Sequence, residues 1–178
     1  MNILAVITMI NQMEADGVIG RYAIGGAVGA TFYLEPISTL DVDVFVGIAP
    51  GPGEIFVSLQ PIYDYLLKRN CVIEKEYIVV EGTPVQFLPP GNPLVEEALE
   101  QAVEREVEAS DSEVKATPAR VFTAEHLAAI ALQLGRVKDK LRLALFVEEG
   151  VLDMPRFESL LARHGLSEHW LRFKQTLE

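Results

Sequence analysis

The chain has 178 residues, 49% of them hydrophobic, and carries 26 acidic against 15 basic side chains for a net charge of −11. That is enough apolar material for the core of one ordinary domain, or of a small core with a helical appendage, while the acidic surface repels anionic lipid and phosphate backbones and disfavours nucleic acid as a partner. A lone Cys71 permits no intrachain disulfide, no apolar run reaches the roughly eighteen residues of a membrane span, and the first residues lack a signal peptide's basic start, so the expected compartment is the cytoplasm.

In chain order, Ile3, Leu4, Ile7, Ile10 and Met13 recur at helical spacing before a stop at Asp16-Gly17. Tyr22 to Ile24 is a short apolar run ending in Gly25-Gly26, after which Ala27 to Leu34 reads as a helix broken by Glu35-Pro36. Leu40 to Ile48 reads as a buried strand closed by Pro50-Gly51-Pro52-Gly53, and Ile55, Phe56, Leu59, Ile62, Tyr63, Leu66 and Leu67 mark an amphipathic helix. Cys71 to Val80 and Thr83 to Leu88, joined by Glu81-Gly82, form an expected hairpin, and Pro89-Pro90-Gly91 ends the sheet.

Pro93 to Ala109 reads as one Glu-rich helix with a solvated face. Val114 to Phe122 has strand-like stretches interrupted by Pro118. Thr123 is the expected cap of a helix from Ala124 to Leu134 that Gly135 ends, and three helices follow, near Val137 to Glu148, Pro155 to His164 and Glu168 to Leu177. The expected organisation is a core over residues 1–92 and a mostly helical C-terminal part over 93–178 packed on it. His126, His164 and His169 show no shared metal spacing and read as packing or surface residues, and Cys71 and Trp170 as core.

The sharpest feature is Gly25-Gly26 followed, fifteen residues on, by Asp41-Val42-Asp43 within an apolar run. Two acids flanking one Val on a strand project from the same face. Like charges on an apolar strand need water, a cation or a donor beside them, and the spacing suits a divalent ion. The glycines let backbone N–H groups approach a phosphate at a helix start.

The order helix, strand, Gly-Gly, helix, strand with Asp-x-Asp, helix, hairpin, helices resembles the polymerase-beta-like nucleotidyltransferase superfamily. More narrowly, Tyr22-Ala23-Ile24-Gly25-Gly26-Ala27-Val28 and Ser38-Thr39-Leu40-Asp41-Val42-Asp43-Val44-Phe45, with Thr123 to Leu127 and Leu132 to Asp139, are similar to the toxin-type nucleotidyltransferases of abortive-infection, type IV toxin and antitoxin systems. The resemblance implies an α+β nucleotidyltransferase-like mixed sheet flanked by helices, with a C-terminal helical bundle. It implies transfer of a nucleoside monophosphate from a nucleoside triphosphate to an acceptor, with Asp41 and Asp43 catalytic and holding magnesium and Gly25 and Gly26 against the phosphates. A cognate antitoxin-like protein becomes an expected partner, and a tRNA acceptor stays among the options despite the net charge.

The chain departs from that pattern at three places. Gln86 stands where the family often has a third carboxylate, and a glutamine cannot act as a general base near neutral pH. Ile37, and Gln133 or a neighbour, stand where the toxin-like pattern tends to have an arginine and a lysine. Arg136 and Lys138 are the remaining candidates for contact with the triphosphate, the alternative being a surface turn in which Asp139 pairs with a nearby base. Two functions follow: an active metal-dependent nucleotidyltransferase, or a degenerate member that keeps the fold as a nucleotide- or partner-binding module.

Overall fold

The computed structural model describes residues 2–35, 39, 41–48, 58–108 and 116–176. The expectations for Ile37, for Leu40 as a strand start, for the Pro50 to Gly53 closure, for Ile55 and Phe56, and for Ala109 and Val114 lie outside these residues. Among the described residues there are eight helices and seven strands, all the strands in one mixed sheet.

The chain opens with α1 (Ile3–Ala15), whose N-cap Asn2 accepts from the Ala5 N–H at 3.2 Å and whose buried Val6, Ile7, Ile10 and Met13 follow helical spacing. β1 (Tyr22–Ile24) is buried throughout and leads into α2 (Gly26–Ala30), shorter than the expected run to Leu34. β2 (Val42–Val46) alternates, with Val42, Val44 and Val46 fully buried on one face and Asp43 and Phe45 half-buried on the other. Each such valine contributes about 1.5–3 kcal/mol relative to exposure, which fixes the register that aims Asp43 away from that core.

After α3 (Gln60–Leu67) come β3 (Val72–Glu74), β4 (Tyr77–Val80) and β5 (Thr83–Leu88). The expected strand from Cys71 to Val80 is thus two strands: the chain turns at Lys75, which adopts φ 58° without the glycine or asparagine that usually announces such a turn.

The Glu-rich segment is also corrected. It is α4 (Pro93–Glu100), capped by Asn92, followed by β6 (Val103–Val107), an edge strand paired antiparallel to β7 (Thr117–Val121). Val103 and Val107 suit a strand, and the exposed Glu104, Arg105 and Glu106 discourage a second chain from adding to the edge. Pro118 sits in β7 beyond the single register pair, Ile24 with Val121, that joins β7 to β1, so its missing N–H costs that ladder nothing.

The strand order is β3-β4-β5-β2-β1-β7-β6, with β1 antiparallel to β2 and parallel to β7, and β2 parallel to β5. β6 and β7, from the chain's second half, therefore complete the sheet begun by its first half. One sheet face packs on α1 and α3. The other packs on α4 and α5 (Ala124–Leu134), and α6 (Val137–Glu148), α7 (Met154–Arg163) and α8 (Ser167–Lys174) gather around α5. Thr123 caps α5 as expected, Trp170 packs edge-on against Phe157 at 5.2 Å between centroids, and Cys71 is buried. No helix among the described residues is long and apolar enough to cross a membrane.

A polar tie fastens α4 to the C-terminal helices. Glu97 accepts from Arg163 at 2.5 Å and lies 2.7 Å from His164 Nε2. His126 is 2% exposed, with Nδ1 2.9 Å from the Thr123 hydroxyl and Nε2 3.7 Å from Glu97 Oε1, too far for a hydrogen bond. Burial pushes the His126 imidazole down to about 4, against the upward pull of Glu97 and Glu125. Burial would raise Glu97, but its bonds to Arg163 and His164 and the charges of Arg163 and His126 bring it down to about 2.

His126 is neutral when folded and takes a proton more readily when unfolded, so its contribution is complete above about pH 6.5 and is lost as pH falls toward 4. Glu97 adds a separate loss as pH falls from 4.5 toward 2. Urea unfolding at pH 7 and pH 4.5 should differ by about 2–3 kcal/mol in the parent. His126→Gln should flatten that interval; an unchanged slope would remove His126 as its source.

Candidate functional site

The C-terminal end of β1, the start of α2, the β2–β5 pair and the α5–α6 connection converge on one cleft of about 410 Å³. Of the six residues singled out in the sequence, Gly26, Asp41, Asp43, Arg136 and Lys138 line it, and Gly25 stands behind them. The Gly25 N–H donates to the Asp43 carbonyl at 3.0 Å, locking the end of β1 to β2.

Gly26 adopts φ 58°, and a β-carbon there would overlap Asp43 Oδ2. The pair thus has a task that spacing did not reveal: a bare backbone at Gly26 lets the Asp43 carboxylate lie directly over the helix start. With only five residues, α2 contributes little macrodipole of its own. At Gly25 a β-carbon would come within 2.6 Å of the Phe45 ring, which itself packs on Phe122 with centroids 4.8 Å apart.

Asp41 immediately precedes β2, where its Oδ1 accepts from the Thr39 hydroxyl at 3.2 Å. Asp43 lies one pleat further along on the same cleft. Among the described residues neither carboxylate is in an ion pair. Burial raises the Asp43 carboxyl above the ordinary range and the Asp41 charge adds to this, partly offset by Lys138, Arg142 and Arg136. Two adjacent, unpaired acids, one made costly to ionise, are what a cation would relieve.

The donors are hard oxygens, which fits magnesium. No cluster of three or more His, Cys, Asp or Glu suited to a metal occurs among the described residues, so water and ligand oxygens would fill the remaining positions.

The register sets Gln86 directly beside Asp43 on the neighbouring strand, so the third carboxylate's expected place is occupied by a neutral amide. Tyr77 on β4 also lines the cleft, its phenol pushed up first by the charge of Asp41. Asn92 donates to Gln133 at 3.2 Å, and both line the same wall, where Gln133 is a neutral amide and brings no positive charge.

The opposite wall is cationic. Gly135 ends α5, and α6 then begins with Arg136, Lys138 and Asp139 facing the cleft. Asp139 is wholly buried rather than on a surface turn. Its Oδ2 accepts from Arg136 Nε at 2.5 Å and its Oδ1 from Arg136 NH2 at 3.2 Å, which pushes the Arg136 guanidinium up.

Arg142 was missed by the sequence reading. It lies three residues beyond Asp139, spacing that puts both on one helix face, and its NH1 stands 3.7 Å from Asp139 Oδ1. The signal was present, but Arg142 lies outside the compared motif.

No protein-family model matches the chain, and no curated protein matches it in sequence. Among solved structures, the fold superposes on the antibiotic-resistance factor ANT(2'')-Ia in solution with a TM-score of 0.54 at 13% identity, over 99% of each chain. It also superposes on an antigenic nucleotidyltransferase-like protein from Paracoccidioides brasiliensis, with a TM-score of 0.53 at 16% identity over 92% of this chain and 89% of that one. The architecture is accordingly α+β and nucleotidyltransferase-like, a mixed sheet with C-terminal helices.

Proposed function

We propose, from a nucleotidyltransferase-like fold with two unpaired carboxylates facing a cation-walled cleft, that this protein is a metal-dependent nucleotidyltransferase. The observation that carries the reading is the placement of Asp41 and Asp43 side by side on one open cleft, with Gly26 cleared for the second of them.

In this reading Asp41 and Asp43 hold magnesium, and Gly26, Lys138 and Arg136 border the space for a nucleoside triphosphate. Magnesium held by Asp41 and Asp43 would supply positive charge to offset that of the triphosphate and of the pyrophosphate that leaves. An acceptor oxygen forms a bond to the α-phosphorus as the bond to pyrophosphate breaks. Gln86 orients the acceptor through a hydrogen bond but takes no proton, so the acceptor's proton passes to water. Asp43 must be ionised to bind metal, and its upward shift means that affinity weakens on acidification earlier than for an ordinary aspartate.

The finer assignment, a toxin-type enzyme with an antitoxin-like partner, is part of the proposal and rests on the motifs from Tyr22 to Val28, Ser38 to Phe45 and Leu132 to Asp139. Gln86 favours a second reading, a module that binds nucleotide without turnover.

Calorimetric titration of each nucleoside triphosphate with magnesium, on the parent and on the Asp41→Asn, Asp43→Asn double variant, tests the site. The parent should bind in a magnesium-dependent manner and the double variant at least about a hundredfold more weakly. Absence of binding by the parent would reject the enzyme reading. Pyrophosphate release with binding intact separates the two: none under any acceptor, with release gained in Gln86→Glu, identifies the module.

A further inference from the structure

We propose that Arg142, rather than Arg136, is the arginine that holds a phosphate of the triphosphate, an assignment that rests on the proposed nucleotide site and adds a binding residue to it. Its side chain projects from α6 into the wall of the cleft that also contains Gly26 and Asp43, and is only 13% exposed. A guanidinium has five N–H donors and stays charged at any working pH, so in so closed a place each donor needs a partner.

The donors are unevenly spent. Arg136 takes both oxygens of Asp139 in a bidentate pair and leaves the remainder of its half-exposed side chain to solvent. Arg142 is left with an ion pair at 3.7 Å, beyond hydrogen-bond range, and its buried Nε has no partner among the described residues. Asp139 thus anchors Arg142 by charge without satisfying it. A buried donor left unmade costs of the order of 1–3 kcal/mol, more when it is charged, so the guanidinium gains bonds by turning from this position toward an oxyanion in the cleft that its side chain lines.

The chemistry of that oxyanion follows from what faces it. Asp43 is close enough to act electrostatically on Arg142, yet forms no ion pair with it. An anion that lies between the acid pair and Arg142 must offer oxygens to a cation on one side and to a fork of N–H donors on the other. A polyphosphate does both with separate phosphoryl groups, each bringing its own oxygens and charge, whereas a carboxylate would have to divide two oxygens and one charge between the two sides. Lys138, four residues earlier and so on the same helix face, borders the same cleft and supplies a second positive charge.

Inorganic tripolyphosphate is the probe, since it carries the phosphates without base or sugar, titrated with and without magnesium into the parent, Arg142→Gln, Arg142→Lys and Asp43→Asn. The parent should bind, Arg142→Gln should bind at least about tenfold more weakly, and Arg142→Lys, which keeps the charge opposite Asp139 but loses the fork, should fall between. Asp43→Asn should lose the magnesium dependence while still binding tripolyphosphate, and adding Arg142→Gln to it should weaken that binding further. Tripolyphosphate binding lost in Arg142→Gln yet indifferent to magnesium would support the assignment and reject the metal reading. Parent-like affinity in a folded Arg142→Gln or in Arg142→Lys, with only a lower melting temperature, would overturn it, as would a parent that binds no tripolyphosphate.

Discussion

Gly26→Ala is expected to abolish magnesium-dependent triphosphate binding while leaving a folded protein. Two costs combine at this position. The left-handed backbone at φ 58° costs a residue with a β-carbon about 1–2 kcal/mol. The added methyl would also occupy the place of the Asp43 carboxylate oxygen, so the carboxylate must rotate away from Asp41 and from the cleft. Gly17→Ala is the control: it sits at φ 70° with nothing within 4 Å of a β-carbon, so it should carry the backbone cost and no binding cost. Thermal melts and calorimetry on the two variants separate strain from the loss of a ligand. Equal binding by Gly26→Ala and the parent would mean that Asp43 does not hold the cation.

The second large effect is at Asp139. Asp139→Asn keeps the shape but removes the charge that two guanidiniums share, and the side chain is wholly buried. Breaking a buried ion pair from one side typically costs about 3–5 kcal/mol, and because Arg136 remains about half exposed the expected loss here is nearer 2–3 kcal/mol. For a chain of this size that corresponds to a fall in melting temperature of roughly 5–10 °C. Arg136→Gln should cost less but still measurably, since it takes two charged hydrogen bonds from the buried Asp139 carboxylate while leaving Arg142 at 3.7 Å to offset its charge. If the two variants melt together, Asp139 is not the anchor of the cationic wall.

How far these residues could be read in advance divides along physical lines. Asp41 and Asp43 were legible because alternation on a strand is local: Val42, Val44 and Val46 mark the buried face, and the acids must take the other. The glycine pair was legible as a turn, but its fit to Asp43 depends on where β2 docks, which no local pattern carries. Gln86 was noticed as a departure, and the pairing register then set it next to Asp43.

The errors have equally definite causes. Glu104, Arg105 and Glu106 have the composition of a solvated helix, but pairing with β7 overrides local preference and makes them an edge strand. Lys75 turns the chain with a positive φ that its residue type does not signal. Asp139 read equally well as a surface residue, because a fully buried carboxylate becomes intelligible only once Arg136 and Arg142 converge on it. The spacing of Arg142 from Asp139 is local, but that their shared face lines the cleft depends on how α6 packs against α5, which is tertiary information.

The central claim, that a cation and its phosphates seat between the Gly25-Gly26 turn and the Asp41–Asp43 pair, is open to direct measurement by paramagnetic broadening of backbone amide resonances with manganese and a non-hydrolysable nucleoside triphosphate. The signals of Gly25, Gly26, Val42, Asp43, Val44 and Gln86 should broaden first, those of β3 and α8 should stay sharp, and the effect should vanish in the Asp41→Asn, Asp43→Asn double variant. Broadening centred elsewhere, or undiminished in that variant, would contradict the account.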